Sequence, residues 1–213
     1  MKGVKFGDFH SYYEWGLILS SKEITSPEAK IIQIEVEGSD GVLDFTDFFG
    51  SVKYKNRSLS FTFSKMNIVQ DGFLALYSLV QNLIHGRMMK IVLDDDPSNY
   101  YYGRVTIKEW KSENNIGTIV IEVDAEPWKM EAYETVVSQY VSSNANIVLP
   151  NNKMPTVPTI TTTSEFLISF GGYNDVYSAG TFTIPELELG EGDNNIYVEG
   201  TGTISFTYRK GGL

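Results

Sequence analysis

The side chains able to do chemistry in this chain are few and scattered. Its two histidines, His10 and His85, have no metal-ligand spacing to each other, and no cysteine is present, which excludes disulfides and thiolate metal sites. A zinc site would have to be assembled from carboxylates and one or two histidines, an uncommon ligand set. His85 stands beside Gly86 and Arg87 at the end of a helical pattern, where positive charge favours the helix dipole, and it reads as a structural or capping residue. Asp94-Asp95-Asp96 could in principle hold Ca²⁺, but a calcium loop needs alternating ligands, a central Gly and a distal Glu, and here Pro97 follows directly. The run reads instead as a solvated turn that keeps a sheet end from pairing with other chains. Paired carboxylates for glycoside cleavage depend on a separation in space that sequence does not carry. No serine sits in a nucleophile elbow, and there is no phosphate-binding glycine loop. The expectation is a protein with no catalytic residue, no cofactor and no metal.

One aromatic cluster suggests binding. Phe170, Tyr173 and Tyr177 surround Gly171-Gly172, and β-sandwiches can bind carbohydrate on aromatic platforms. All three tryptophans, Trp15, Trp110 and Trp128, lie well before this point. Core or rim packing is the preferred reading, with Phe170, Tyr173 and Tyr177 kept as a weak sugar or partner contact.

These residues need a scaffold, and composition bounds it. The 213 residues suit one large or two modest domains, and 42% hydrophobic content is ordinary for a globular chain. The net charge of −10 argues against a nucleic-acid binder, which needs a basic surface to neutralise phosphates. Its simplest consequences are solubility and repulsion between free copies. No apolar run approaches the roughly 18 residues of a membrane helix. The opening residues Met1–Lys5 lack the apolar stretch of a signal peptide.

The first part of the chain reads as sheet. Trp15–Leu19 predicts a first strand. Ile32, Ile34 and Val36 alternate with Gln33, Glu35 and Glu37 before a Gly38-Ser39-Asp40-Gly41 turn. Leu59, Phe61 and Phe63 alternate with Ser60, Thr62 and Ser64. In Thr118–Ala125, Ile119, Ile121, Val123 and Ala125 share one face, the period of a half-buried antiparallel strand. Lys90–Leu93 and Tyr101–Trp110 are further strands, with a turn at Asn114–Gly117. One helix interrupts: Phe73, Leu76, Tyr77, Val80, Leu83 and Ile84 make a stripe broad enough to lie on a sheet. Asp71 is its expected N-cap, and Gly86 its left-handed terminator.

Texture changes after Lys129. Only Lys153, Arg209 and Lys210 are basic beyond it. Gln139–Asn146 is small and polar, like a linker or hairpin arm, and Pro155 and Pro158 favour extended chain. The division is placed at 1–135 for a β domain with one helix and 136–213 for a small β-sandwich, its strands beginning near residue 145. Thr159–Thr163, Phe166–Phe170, Thr181–Ile184, Asn195–Glu199 and Thr203–Arg209 supply short strands. The second domain is small enough to lean on the first or on a neighbour.

The order of motifs is more specific than any one of them. Trp15-Gly16-Leu17 is followed by Gly38–Asp44, then Tyr54-Lys55-Asn56-Arg57 leading into a Phe-rich strand and a single helix. Next come Asp94–Pro97, Tyr101–Val105 and Asp124–Lys129, an Asn-rich link with prolines, Leu189–Val198 and Gly202–Arg209. This succession, over nearly the whole chain, resembles the distal tail proteins of long-tailed bacteriophages infecting Gram-positive bacteria and of related prophages. The resemblance implies a mainly β protein: an N-terminal antiparallel sandwich or barrel-like domain with one helix, then a small galectin-like β-sandwich. It implies a structural, non-enzymatic hub in the virion tail tip, assembled in the host cytoplasm as a homo-hexameric ring. The ring would join tail-tube and tail-associated proteins to receptor-binding or baseplate proteins, with no sequence-specific nucleic-acid binding and no membrane contact. A ring continuous with a DNA conduit gains from acidic walls, which repel the duplex. The alternative is a carbohydrate-binding β-sandwich acting in host-surface attachment.

Overall fold

The computed structural model describes residues 3–48, 50–68, 70–113 and 115–213. They fall into two compact units, Met1–Lys129 and Met130–Leu213. Asn114 and the capping side chain expected at Asp71 lie outside what is described.

Alternation builds the first unit. Its strands are β1 (Val4–Phe6), β2 (Phe9–His10), β3 (Ile18–Ile24), β4 (Gln33–Glu35), β5 (Val42–Asp44) and β6 (Arg57–Met66). Helix α1 (Gln70–Ile84) precedes β7 (Met88–Leu93), β8 (Asp96–Glu113) and β9 (Ile116–Ala125). Seven of these strands form one sheet in the order β2-β1-β7-β8-β9-β6-β3, and every neighbour is antiparallel. In the β6–β9 ladder, Leu59, Phe61 and Phe63 stand opposite Val123, Ile121 and Ile119, and all six are buried. Ser58, Ser60, Thr62 and Ser64 take the other face, as period two requires.

The buried face is closed by aromatic contacts and by the helix. Phe6 meets Phe61 edge-on, with centroids 5.9 Å apart, and stacks on Trp15 at 6.2 Å. Along α1, Phe73, Val80 and Ile84 are buried against the sheet, and Tyr77 stacks on Trp110 at 5.1 Å. Phe73 lies directly over the backbone of Gly117, where a Cβ would overlap its ring. That close approach requires glycine at 117.

Two sequence expectations change here. Trp15-Gly16-Leu17 is the end of a turn, not a strand: the Gly16 N–H bonds the Tyr12 carbonyl at 2.9 Å, Gly16 takes φ +64°, and β3 starts at Ile18. Trp15 and Leu17 are apolar because they plug the core from a loop. The aspartate turn is shorter than expected: only Asp94-Asp95 turns, and Asp96-Pro97 already opens β8.

The second unit is a sandwich of two four-stranded antiparallel sheets. After β10 (Lys129–Glu131), which straddles the division, come β11 (Thr135–Val141), β12 (Asn144–Asn151), β13 (Thr159–Thr162), β14 (Phe166–Phe170) and β15 (Tyr173–Tyr177). They are followed by β16 (Gly180–Thr183), β17 (Gly192–Gly200), β18 (Gly202–Tyr208) and β19 (Gly211–Gly212). The sheets are β11-β18-β13-β16 and β12-β17-β14-β15. Ile160, Ile204 and Phe206 of one meet Ile147, Leu149, Phe166, Ile168 and Val198 of the other in the core.

Gln139–Asn146, expected as a linker or hairpin arm, is instead the Ser142-Ser143 crossing from the edge strand of one sheet to the edge strand of the other. Its polarity follows from the edge, where Tyr140 is exposed and only alternate residues reach the core. Pro150 lies in β12, an edge strand, where its missing N–H costs no ladder bond.

Candidate functional site: an exposed apolar arm

Between Ile24 and Arg57 the first unit carries a long two-stranded excursion. The Thr25 N–H bonds Ser58 O at 3.0 Å, Lys55 N–H bonds Glu28 O at 2.8 Å, and Lys30 N–H bonds Lys53 O at 2.7 Å. The pairing resumes as β4–β5, with Gln33, Ile34 and Glu35 opposite Asp44, Leu43 and Val42. At its base, Tyr54 meets Trp128 edge-on at 5.6 Å. From Thr25 to Asn56 not one described residue is buried.

The arm is nevertheless patterned as if something should cover it. Period two places Ile32, Ile34 and Val36 on one face, with Leu43 opposite Ile34 and Phe45 bonded back to Ile32 O. Ile34 and Leu43 remain 51% and 52% exposed. Gln33, Glu35, Glu37 and Asp44 lie on the opposite face. Residues 31–48 include Glu35, Glu37, Asp40, Asp44 and Asp47 but no Lys or Arg. Near the tip, the Thr46 hydroxyl and amide hold the Asp44 carboxyl below its usual range. Paired apolar rows with no core beneath them are the composition of a contact surface.

The residues that could have done chemistry are separated or occupied. Asp94 accepts from the Gly3 N–H at 2.6 Å and from His10 Nε2 at 3.0 Å. Asp95 pairs with Lys22, and Asp96 with Lys129 at 3.2 Å. Three neighbouring carboxylates thus serve three different partners. Among the described residues no group of three or more His, Cys, Asp or Glu is placed to hold a metal ion. His10 Nδ1 accepts the Tyr12 N–H at 3.1 Å, so this ring organises the N-terminal turn.

His85 is a structural residue, as expected, but its side chain serves a strand. Its Nδ1 accepts the Ile107 N–H at 3.1 Å, beside the β-bulge between Ile107 and Glu109. The helix end is served by arginines: Arg104 donates to Gly86 O at 2.7 Å and Arg87 to Asn82 O at 3.1 Å. Sequence spacing could not reveal this, because Arg104 arrives from a strand.

Phe170, Tyr173 and Tyr177 are brought together, joined by Phe182, which the sequence reading missed. Phe170 stacks on Tyr173 at 4.9 Å, and Tyr177 on Phe182 at 4.6 Å. All four are half-buried against the core. β15 and β16 are the outer strands of the two sheets, so the rings close that edge of the sandwich. Their ring faces are used against one another.

A two-unit, mainly β protein of sheet, helix and sandwich, with an uncovered arm, is the class this architecture defines. No family model and no curated protein matches the chain by sequence. Among solved structures, the crystal structure of SPP1 Dit (gp 19.1), described as a paradigm of the hub adsorption apparatus in phages infecting Gram-positive bacteria, is similar with a TM-score of 0.72. The identity is 12%, over 100% of this chain and 100% of that one. The fold expected from the likeness to distal tail proteins is therefore the fold found. No helix among the described residues is long and apolar enough to cross a membrane.

Proposed function

We propose that this chain is a structural hub of a phage tail tip, whose first unit assembles into a hexameric ring joining the tail tube to baseplate or receptor-binding proteins. The arm carries the reading. Its Ile32, Ile34, Val36 and Leu43 face solvent in the single chain, and a second copy would remove them from water at about 25 cal/mol per Å². A ring needs two different surfaces that fit each other from copy to copy, and no reactive centre. The fold likeness to a hub protein supports the same assignment.

Each copy brings a net charge of −10, so association works against repulsion. Screening to about 8 Å near physiological ionic strength should strengthen the ring. Native mass spectrometry and sedimentation over concentration and salt, with and without tail-tube or baseplate partners, test the reading. A six-copy species growing with salt is expected. A chain that stays monomeric throughout and binds simple sugars at micromolar concentration would replace the hub with a sugar-binding module.

A further inference from the structure

One charged side chain is buried among the described residues: Arg57, the first residue of β6, is only 5% exposed. Period two puts it in the inward row with Leu59, Phe61 and Phe63. Level with it on the neighbouring strands stand Ala125 and then Gly103, neither of which has a polar side-chain group to offer a guanidinium. Tyr101, two residues before Gly103 and also buried, lies beneath the guanidinium, its ring centroid 5.4 Å from Cζ. A cation over a ring offsets only part of what enclosing an ion costs.

The guanidinium has no acceptor. Its Nε is enclosed and bonds nothing, and no described residue bonds or pairs with either terminal nitrogen. The other three arginines, all less buried, each have a partner. Arg87 donates to Asn82 O, Arg104 to Gly86 O, and Arg209 to Glu131 O and Ala132 O while pairing with Glu134. Asp124, the carboxylate next to Ala125 on β9, stands opposite Ser58 and Arg104 and so belongs to the outward face. An enclosed charge is tolerated when an anion pairs with it, and this chain supplies none.

We infer that the terminal nitrogens of Arg57 receive a carboxylate from outside the folded chain. With Nε enclosed the approach is end-on, and two terminal N–H groups match the two oxygens of a planar carboxylate. The Tyr101 ring covers one face of the guanidinium, so the ligand lies in the guanidinium plane, beside the ring. The carboxylate comes from one of two sources, an acidic side chain of another chain or a free carboxylate ion. The site stands whether or not the chain forms rings.

Formate is the probe. At fixed pH and ionic strength, replacing chloride by formate should raise the melting temperature of the monomer by a few degrees and then saturate. A ligand bound only by the folded state stabilises it by mass action. Arg57→Met keeps an apolar stem of similar length and should show no formate-dependent rise. A second readout needs no variant. The four arginines give four Nε–H signals in nitrogen-15 spectra, and the slowest to exchange, that of the enclosed Arg57 Nε, should move most with formate. Repeating the melts on an assembled form separates the sources. A formate response lost on assembly assigns the site to a neighbour's acidic side chain, and one that persists assigns it to a free carboxylate. An Arg57→Met response equal to the parent's, or an Arg57 signal that formate leaves in place, overturns the inference.

Discussion

Tyr173 and Tyr177 share a hydrogen bond of 2.5 Å between their phenol oxygens, one strand-length apart on β15. The bond is worth having only while the donor keeps its proton, and the Tyr173 phenol is pushed up to about 12, first by this bond and then by desolvation. Because the folded state holds that proton more tightly than the unfolded chain, the contribution is fully present below the ordinary tyrosine value. It is lost as pH rises through the folded one.

The sandwich should therefore lose an increment of melting temperature between about pH 10 and pH 12. Thermal melts across that range, compared with Tyr177→Phe, check it. The variant should show a flatter alkaline decline and a lower ionisation midpoint for Tyr173 by difference absorbance. A decline identical in the two proteins would remove the role assigned to the pair.

Gly117→Ala should destabilise the first unit by about 1–3 kcal/mol, because the new Cβ overlaps the Phe73 ring. Phe73→Leu should itself cost stability and yet be less than additive with Gly117→Ala, since both act on one contact. Denaturant titrations of the two single variants and the double variant give the coupling directly.

Replacing residues 26–56 by a short glycine turn should leave the first unit folded, with a melting temperature within a few degrees of the parent. None of the described residues removed is buried, and surface changes of this kind stay mostly within about 0.5 kcal/mol. The same deletion should abolish the six-copy species in native mass spectrometry. A collapse of the fold would mean that the arm stabilises its own sheet.

His85→Ala should cost about 1–2 kcal/mol in chemical denaturation by leaving the Ile107 amide without its acceptor. Added zinc should not change the melting temperature of either protein. A zinc-dependent rise abolished in the variant would reassign His85 as a ligand.

Local pattern carried much of the fold. The alternation of Leu59, Phe61 and Phe63 and of Ile119, Ile121 and Val123 names both strands and their buried faces, because period two is written residue by residue. The stripe from Phe73 to Ile84 does the same for α1. Sequence was weaker where a strand lies at an edge. The facing ends of β11 and β12, within Gln139–Asn146, were obscured because these edge-strand residues are small, polar and largely exposed and read as a linker or hairpin arm.

What only the tertiary structure decided is which apolar rows are covered. Ile32, Ile34 and Val36 carry the same alternation as Leu59, Phe61 and Phe63, yet the first row is exposed and the second is buried. Periodicity reports that a face is meant to leave water; it does not say whether the cover comes from the same chain. The three adjacent aspartates make the same point for polar groups. Sequence sets Asp94, Asp95 and Asp96 side by side, and folding turns them towards His10, Lys22 and Lys129, because the backbone reverses between them. Residue types are local, but partners are chosen by the packing of strands far apart in the chain.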